Sequence, residues 1–233
     1  MKNLYVGTSG YSYKEWKGSF YPEKLAAKDM LHYYAERLKA VELNNTFYRM
    51  PQPGMVESWR AQVPDGFRFS VKASQRITHF KRLKEAGDET KFMLETIAVL
   101  ENRLGVVLFQ LPPNMKKDIE RLESFLPHLP TQIRAAFEFR HPTWFEDDVL
   151  ELLRHHNRAL CVSDTDDLPV SRIEPTADWG YLRLRRVNYT DAALKEWVKR
   201  VQAQKWDSTF VFFKHEDEGT GPKLAANFLG LCK

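Results

Sequence analysis

Cysteine is scarce in this sequence: two residues in 233, Cys161 and Cys232, far apart and in unlike contexts. Such a pair makes neither a disulfide framework nor a zinc motif, and it fits a reducing compartment, so a cytoplasmic location is expected. No run approaches the roughly 18 apolar residues that a membrane helix needs, which predicts no membrane partner. The opening Met1–Gly7 lacks the apolar core and cleavage pattern of a signal peptide and reads as a first strand. No Gly/Ser linker, low-complexity tract or internal repeat breaks the chain, so a single domain over 1–233 is expected. Charge of one sign is scarce too. The net value of +4 permits an anionic ligand without demanding nucleic acid.

What is present is alternation. Short apolar runs at 3–7, 40–44, 67–72, 105–110, 134–139, 159–163, 180–185 and 208–214 make eight candidate strands. Helical periods lie between most of them. Met93, Ile97, Leu100 and Leu104 recur at four and three residues within 89–103, with Asp88 placed to cap. Phe145, Val149, Leu152 and Leu153 do the same in 145–156, and Leu194, Trp197, Val198 and Val201 in 190–202, with Thr190 or Asp191 as cap. Strands alternating with helices predict parallel βαβ units, and eight units in this length predict a (β/α)8 TIM barrel. Residues 164–179 hold no helical period, so the sixth crossover is expected to be irregular.

Strand side chains alternate between faces. Val41 and Leu43 oppose Glu42 and Asn44. Phe67, Phe69 and Val71 oppose Arg68, Ser70 and Lys72. Phe137 and Phe139 oppose Glu138 and Arg140, while Leu182 and Leu184 oppose Tyr181, Arg183 and Arg185. The apolar faces must meet the helices, so the polar ones point into the barrel near its C-terminal mouth. Gln110, Asp164 and Lys214 end three other strands and are candidates for the same ring. Inward charge is costly unless paired or used, and barrels keep their sites at this end.

Each candidate has a functional and a plain reading. Thr8 and Ser9, in the Gly7-Thr8-Ser9-Gly10 turn, offer hydroxyls and amides to a phosphate, or simply turn the chain. Glu42 is a general base or an ion-pair partner for Lys72 or Arg140. In Glu138-Phe139-Arg140-His141, Arg140 offers a planar fork to a carboxylate or phosphate, Glu138 orients it or moves protons, and His141 titrates near neutrality. The plain alternative is a Glu–Arg bridge. Lys72, Arg76 and His79 belong to an acid-free basic segment, 72–84, that reads as an anion-attracting lid or as solvated loop. Tyr11, Tyr13, Trp16, Phe20 and Tyr21 either stack on a ligand or pin the first loop. Cys161 reads as a buried structural thiol.

Several of these blocks also carry a resemblance. Gly7-Thr8-Ser9-Gly10-Tyr11-Ser12-Tyr13, Phe20-Tyr21-Pro22, Val41-Glu42-Leu43-Asn44-Asn45-Thr46-Phe47-Tyr48, Phe69-Ser70-Val71-Lys72, Ile77-Thr78-His79, Leu108-Phe109-Gln110-Leu111-Pro112-Pro113, Glu138-Phe139-Arg140-His141-Pro142-Thr143-Trp144 and Tyr181-Leu182-Arg183 occur in this order. They resemble the domain-of-unknown-function 72 (YecE-like) family. The resemblance implies an α/β barrel and leaves activity open. The region around Lys214 and His215 departs from the Asn-rich pattern expected there. The barrel is also similar to those of xylose isomerases and abasic-site nucleases, an analogy of fold alone.

Together these features predict an anionic, phosphate-bearing ligand at the mouth. It would be bound by Thr8, Ser9, Asn44, Lys72, Arg76, His79, Gln110, Arg140, Asp164 and Arg183. Glu42, Glu138 and His141 are the candidates for acid/base work, as in a hydrolase or isomerase. No cofactor is expected, although Glu42, Glu138, Asp164, His141 and His215 also allow a divalent metal. Two other readings stand beside this one. The first is a nucleic-acid-binding protein or metal-dependent nuclease-like hydrolase. The second is a non-enzymatic sensor of a small ligand.

Overall fold

Short runs that alternate apolar and polar residues and are separated by helices settle as a parallel sheet with helices over its apolar face. A computed structural model describes residues 3–167, 170 and 173–232. Nine strand segments form one all-parallel sheet: β1 (Asn3–Ser9), β2 (Ala40–Leu43), β3 (Arg68–Lys72), β4 (Leu104–Gln110), β5 (Ala135–Glu138), β6 (Ala159–Leu160), β7 (Val162–Asp164), β8 (Trp179–Leu184) and β9 (Ser208–Phe213). Their order is β6-β5-β4-β3-β2-β1-β9-β8-β7. β6 and β7 are consecutive pieces of one strand, parted by Cys161. The Cys161 amide still donates to the Phe137 carbonyl at 2.8 Å. The sheet therefore curls into a nearly closed barrel with eight strand positions, as the periodicity predicts.

Helices α1 (Met30–Ala35), α2 (Pro53–Ala61), α3 (Gly87–Ile97), α4 (Ile119–Phe125), α5 (Asp147–His155), α6 (Asp191–Gln202) and α7 (Thr220–Leu231) connect the strands. Thr190 caps α6 as expected, its side chain accepting from the Ala193 amide. Asp88 does not cap α3. The helix starts two residues earlier than its apolar period suggests, so Asp88 lies in the first turn, where its charge still suits the helix dipole. Among the described residues of 165–178 there is no helix. Residues 168, 169, 171 and 172 of that crossover lie outside the described set. No described helix is long and apolar enough to cross a membrane.

The period of two sorts the strand side chains into two cores. Val41, Leu43, Phe69, Val71, Phe137, Leu182, Leu184 and Phe213 join the helix-facing core. Ala40, Val106, Leu108, Ala136, Ala159, Cys161, Trp179, Tyr181, Phe210 and Phe212 fill the barrel interior, with Tyr5 packed against them. Tyr5 stacks on Phe210 at 4.9 Å between centroids, and Trp179 meets Phe210 edge-on at 6.2 Å. An interior plugged by aromatic rings leaves no pore. Polar residues that enter from the strand ends must find partners on top of that plug.

Candidate functional site at the barrel mouth

Glu42 and Glu138 end on the plug, and their sequence parity aims both inward. Burial alone would force each carboxylate to keep its proton, so each needs cationic or hydrogen-bonding partners to stay ionised. One residue serves both. Arg183 Nη2 donates to Glu42 Oε1 at 2.8 Å, and Arg183 Nη1 donates to Glu138 Oε2 at 2.5 Å. The strand order places β3 and β8 on opposite sides of the barrel. Glu42 also accepts from Ser9 Oγ (2.7 Å), Asn44 Nδ2 (3.1 Å) and the Tyr181 hydroxyl (2.6 Å). Tyr181 thus sets its ring in the plug and its hydroxyl in the ring of charge, where it also meets Ser70 Oγ at 2.6 Å. Glu138 accepts further from Gln110 Nε2 (2.9 Å) and Arg185 Nη2 (3.1 Å).

These partners decide protonation. Burial pushes the Glu42 carboxyl up, but Arg183 and the hydroxyls outweigh it and hold the group below its ordinary value. Burial likewise opposes Glu138, yet Arg183 and Arg185 bring it down to about 2. A carboxylate held that low, with its lone pairs occupied, is a weak proton acceptor. The structure gives Glu42 a different chief partner from the Lys72 or Arg140 expected for it. Arg140 approaches only Glu138, at 3.8 Å through Nε, with 39% of its side chain exposed.

Above the ring the balance changes. Lys72, the last residue of β3, donates to Gln110 Oε1 at 2.8 Å and lies 4.1 Å from the centre of the Phe47 ring. Among the described residues no carboxylate comes within ion-pair distance of it. Burial and the nearby Arg183 and Arg140 outweigh Glu42 and Glu138 and bring its ammonium down to about 8. His79 is held below its ordinary value by burial first, then by Lys72, Arg140 and Arg82. Its ring stands edge-on to Phe47 at 4.8 Å. Within the cluster, four cations (Lys72, Arg140, Arg183, Arg185) face two carboxylates (Glu42, Glu138), an excess of two positive charges.

Other expected site residues are placed differently. Thr8 and Ser9 are buried and committed: Thr8 Oγ1 bonds the Gly10 carbonyl (2.6 Å) and the Tyr34 hydroxyl (2.9 Å). Gly10 adopts φ +92°, a left-handed turn that glycine tolerates, and gives its amide to the Glu42 carbonyl at 2.8 Å. That turn builds the ring and presents no open phosphate cradle. Asp164 shares the outward parity of Val162 and stands apart from the ring, taking Arg186 (2.8 Å), the Tyr189 hydroxyl (2.8 Å) and the Val170 amide (3.2 Å). His141 caps the short turn Pro142–Trp144, accepting from the Thr143 amide at 3.3 Å. Arg76 is exposed on a π-turn over Arg76–Phe80. Among the described residues the Lys214 ammonium pairs with Glu216 alone, at 3.8 Å. The aromatic first loop is packed on itself, with Trp16 and Tyr21 buried, so its rings pin the loop.

A cavity of about 600 Å³ opens over the ends of β7 to β9, where Arg185, Arg186 and Lys214 are matched by Asp166, Asp167 and Glu216. A second, of about 660 Å³, lies away from the mouth between α2 and residues 98–103 and carries the paired Arg60 and Glu101. Among the described residues no three His, Cys, Asp or Glu side chains converge as metal ligands. The carboxylates expected for a metal are spent on arginines. Arg185, aimed inward by the sequence, was not among the expected ligands, and Ser163, Phe47 and the exposed aromatics Tyr48 (74% exposed) and Phe80 (71%) on the loops after β2 and β3 were not singled out. Parity with Arg183 was the signal for Arg185. No local pattern distinguishes an exposed aromatic from a buried one.

The architecture and the ring define an α/β-barrel protein whose polar side chains converge at the C-terminal ends of its strands. The chain belongs to the DUF72 family: the family model described as "Protein of unknown function DUF72" matches residues 5–233. It is 29% identical over 179 residues to the UPF0759 protein YecE of Escherichia coli K12, covering 75% of this chain and 63% of that protein. It is 31% identical over 156 residues to the UPF0759 protein YunF of Bacillus subtilis, covering 64% and 54%. The chain thus spans less than two thirds of the length of these relatives. A DUF72 structure from Thermotoga maritima superimposes with a TM-score of 0.84 at 28% identity over 98% of both chains. Another, from Enterococcus faecalis, gives 0.80 at 18% identity over 98% and 95%, a likeness of fold.

Proposed function

We propose that the mouth of this barrel binds a small anion, with Lys72, Arg140 and Arg185 as the charged contacts. The observation that carries this reading is Lys72: a half-buried ammonium without a carboxylate partner among the described residues, beside a histidine that burial and the surrounding cations hold toward its neutral form. A site with excess positive charge is relieved by a bound anion, and Arg140 keeps a largely uncommitted guanidinium there. Three buried atoms at the mouth, Asn44 Oδ1, Arg183 Nε and Arg185 Nε, also have no partner among the described residues. In this reading Glu42, Glu138 and Arg183 build the floor of the site, and proton transfer falls to groups above it. Titration calorimetry with inorganic phosphate and sulfate tests it. We expect binding that falls at least about tenfold, or roughly 1.4 kcal/mol, in Arg140→Ala. Undiminished binding in that variant would remove the reading.

A second reading rests on Tyr48 and Phe80. Two exposed rings beside a cationic mouth suit the bases of a single-stranded oligonucleotide. Its mark is an affinity that drops steeply with salt and falls again in Tyr48→Ala. Oligonucleotide affinity that ignores both salt and Tyr48 would exclude it.

A further inference from the structure

Lys72 has a neighbourhood that anion binding alone does not require. Among the described residues its Nζ has one hydrogen-bond acceptor, Gln110 Oε1, a neutral amide. The Phe47 ring lies on one side of it, and no carboxylate is within ion-pair distance among the described residues. Glu42 and Glu138 bear on it from β2 and β5, but Arg183 occupies both, and Arg183 and Arg140 bear on it with like charge. His79 meets the same Phe47 ring edge-on at 4.8 Å between centroids. An amine set on an apolar face and crowded by fixed cations is the arrangement that frees a lysine to act as a nucleophile.

We propose that Lys72 forms an imine with an aldehyde or ketone that carries an anionic group, the carbonyl placed at Nζ and the anion on Arg140. The step balances without a further reactant. The Nζ lone pair attacks the carbonyl carbon, a C–N bond forms, and the carbonyl π electrons move to oxygen, which takes a proton. The carbinolamine then takes a second proton on that oxygen and loses water as the nitrogen lone pair closes the C=N bond. The two protons on the departing oxygen match two of the three on the lysine ammonium, one shed to free the lone pair and one passed on from the carbinolamine stage, and the third stays on nitrogen, so the products are water and the protonated imine. His79, held toward its neutral form, is the nearby group suited to pass the two protons. The protonated imine then withdraws electrons from the adjacent carbon, which fits the class of reactions that make or break a bond at that carbon. This inference rests on the anion site proposed above.

Reductive trapping tests it. The intact protein is incubated with cyanoborohydride and either pyruvate or glyoxylate, for a carboxylate, or dihydroxyacetone phosphate, for a phosphate, and lysine adducts are located by peptide mass spectrometry. Lys72, brought down to about 8 from 10.5, should be trapped about a hundredfold faster near pH 7 than an exposed lysine such as Lys24. Whichever anion class is trapped faster identifies the ligand. Arg140→Ala should slow trapping by the charged carbonyls but not by uncharged propanal. Lys72→Arg should abolish the selective adduct while leaving a folded protein, as circular dichroism will show.

Adducts spread evenly over exposed lysines, with phosphate binding intact, would overturn the imine and leave the anion site standing. Selective trapping at Lys72 that ignores Arg140, without phosphate binding, would remove the anion site instead. Neither selective adduct nor phosphate binding would overturn both.

Discussion

Arg183 and Lys72 stand on opposite strands of one barrel, and they show two uses of inward charge. Arg183 is buried between two carboxylates and gives a hydrogen bond to each. Lys72 has a neutral amide and an aromatic face. A cation whose charge is saturated by carboxylates, even with Arg183 Nε unpartnered among the described residues, holds structure together and has little left to offer a ligand. An unsaturated one costs stability in the empty protein and regains it when an anion arrives. The difference separates the floor of the mouth from its working surface, although both were drawn from one pattern of alternating residues.

The largest effect that sharpens this contrast should come from Arg183→Met. Removing the shared cation leaves two carboxylates buried without their main partner, and we expect a loss of about 3–5 kcal/mol at neutral pH. The freed carboxyls should then take up protons readily, so the loss should shrink in acid, as urea unfolding at two pH values will show. Ser9→Ala removes one of four hydrogen-bond donors to Glu42 and should cost about 1.5–3 kcal/mol by the same measurement. An equal cost for Arg183→Met and Ser9→Ala would mean that the arginine is not the keystone.

Lys72→Met should act with the opposite sign. The native ammonium loses its proton near pH 8, whereas the unfolded one holds it to about 10.5, so the unfolded chain binds more protons across that window. Wild-type stability should therefore gain on that of Lys72→Met as pH rises from 8 to 10, and thermal melts should show the variant ahead below pH 8. A variant less stable than wild type at pH 7 would contradict the unsaturated reading of Lys72. The smallest effect is expected from Arg140→Ala, whose long contact to Glu138 should be worth no more than about 0.5 kcal/mol. Its consequence belongs to binding and not to folding.

Much of the frame was legible from residues alone. All eight strand positions follow from runs such as 67–72 and 208–214, and the faces follow from parity, because a strand has only two. What parity cannot give is which inward residues meet. Glu42 could be placed inside the barrel but not beside Arg183, since β2 and β8 are not neighbours in the sheet and their side chains meet only across the closed interior. Asp164 could have been excluded, since it shares the parity of the apolar Val162. The commitment of Thr8 to Tyr34 was beyond reach, because it depends on how α1 docks. The open state of Lys72 is a statement about what other residues fail to supply, and no local pattern encodes that.

The split strand has a consequence for how the barrel breathes. Where β6 and β7 part at Cys161, the ladders are short: two residue pairs to β5 and three to β8, against six between β1 and β9. Glu138 ends β5 and Arg183 lies in β8, so their bonds, with that of Arg185, span this seam from side to side. The ion pairs therefore fasten a rolled ribbon along a thinly laddered edge. Local opening should begin there, and amide exchange over 159–164 should quicken first once the clasp is cut or its carboxylate protonated.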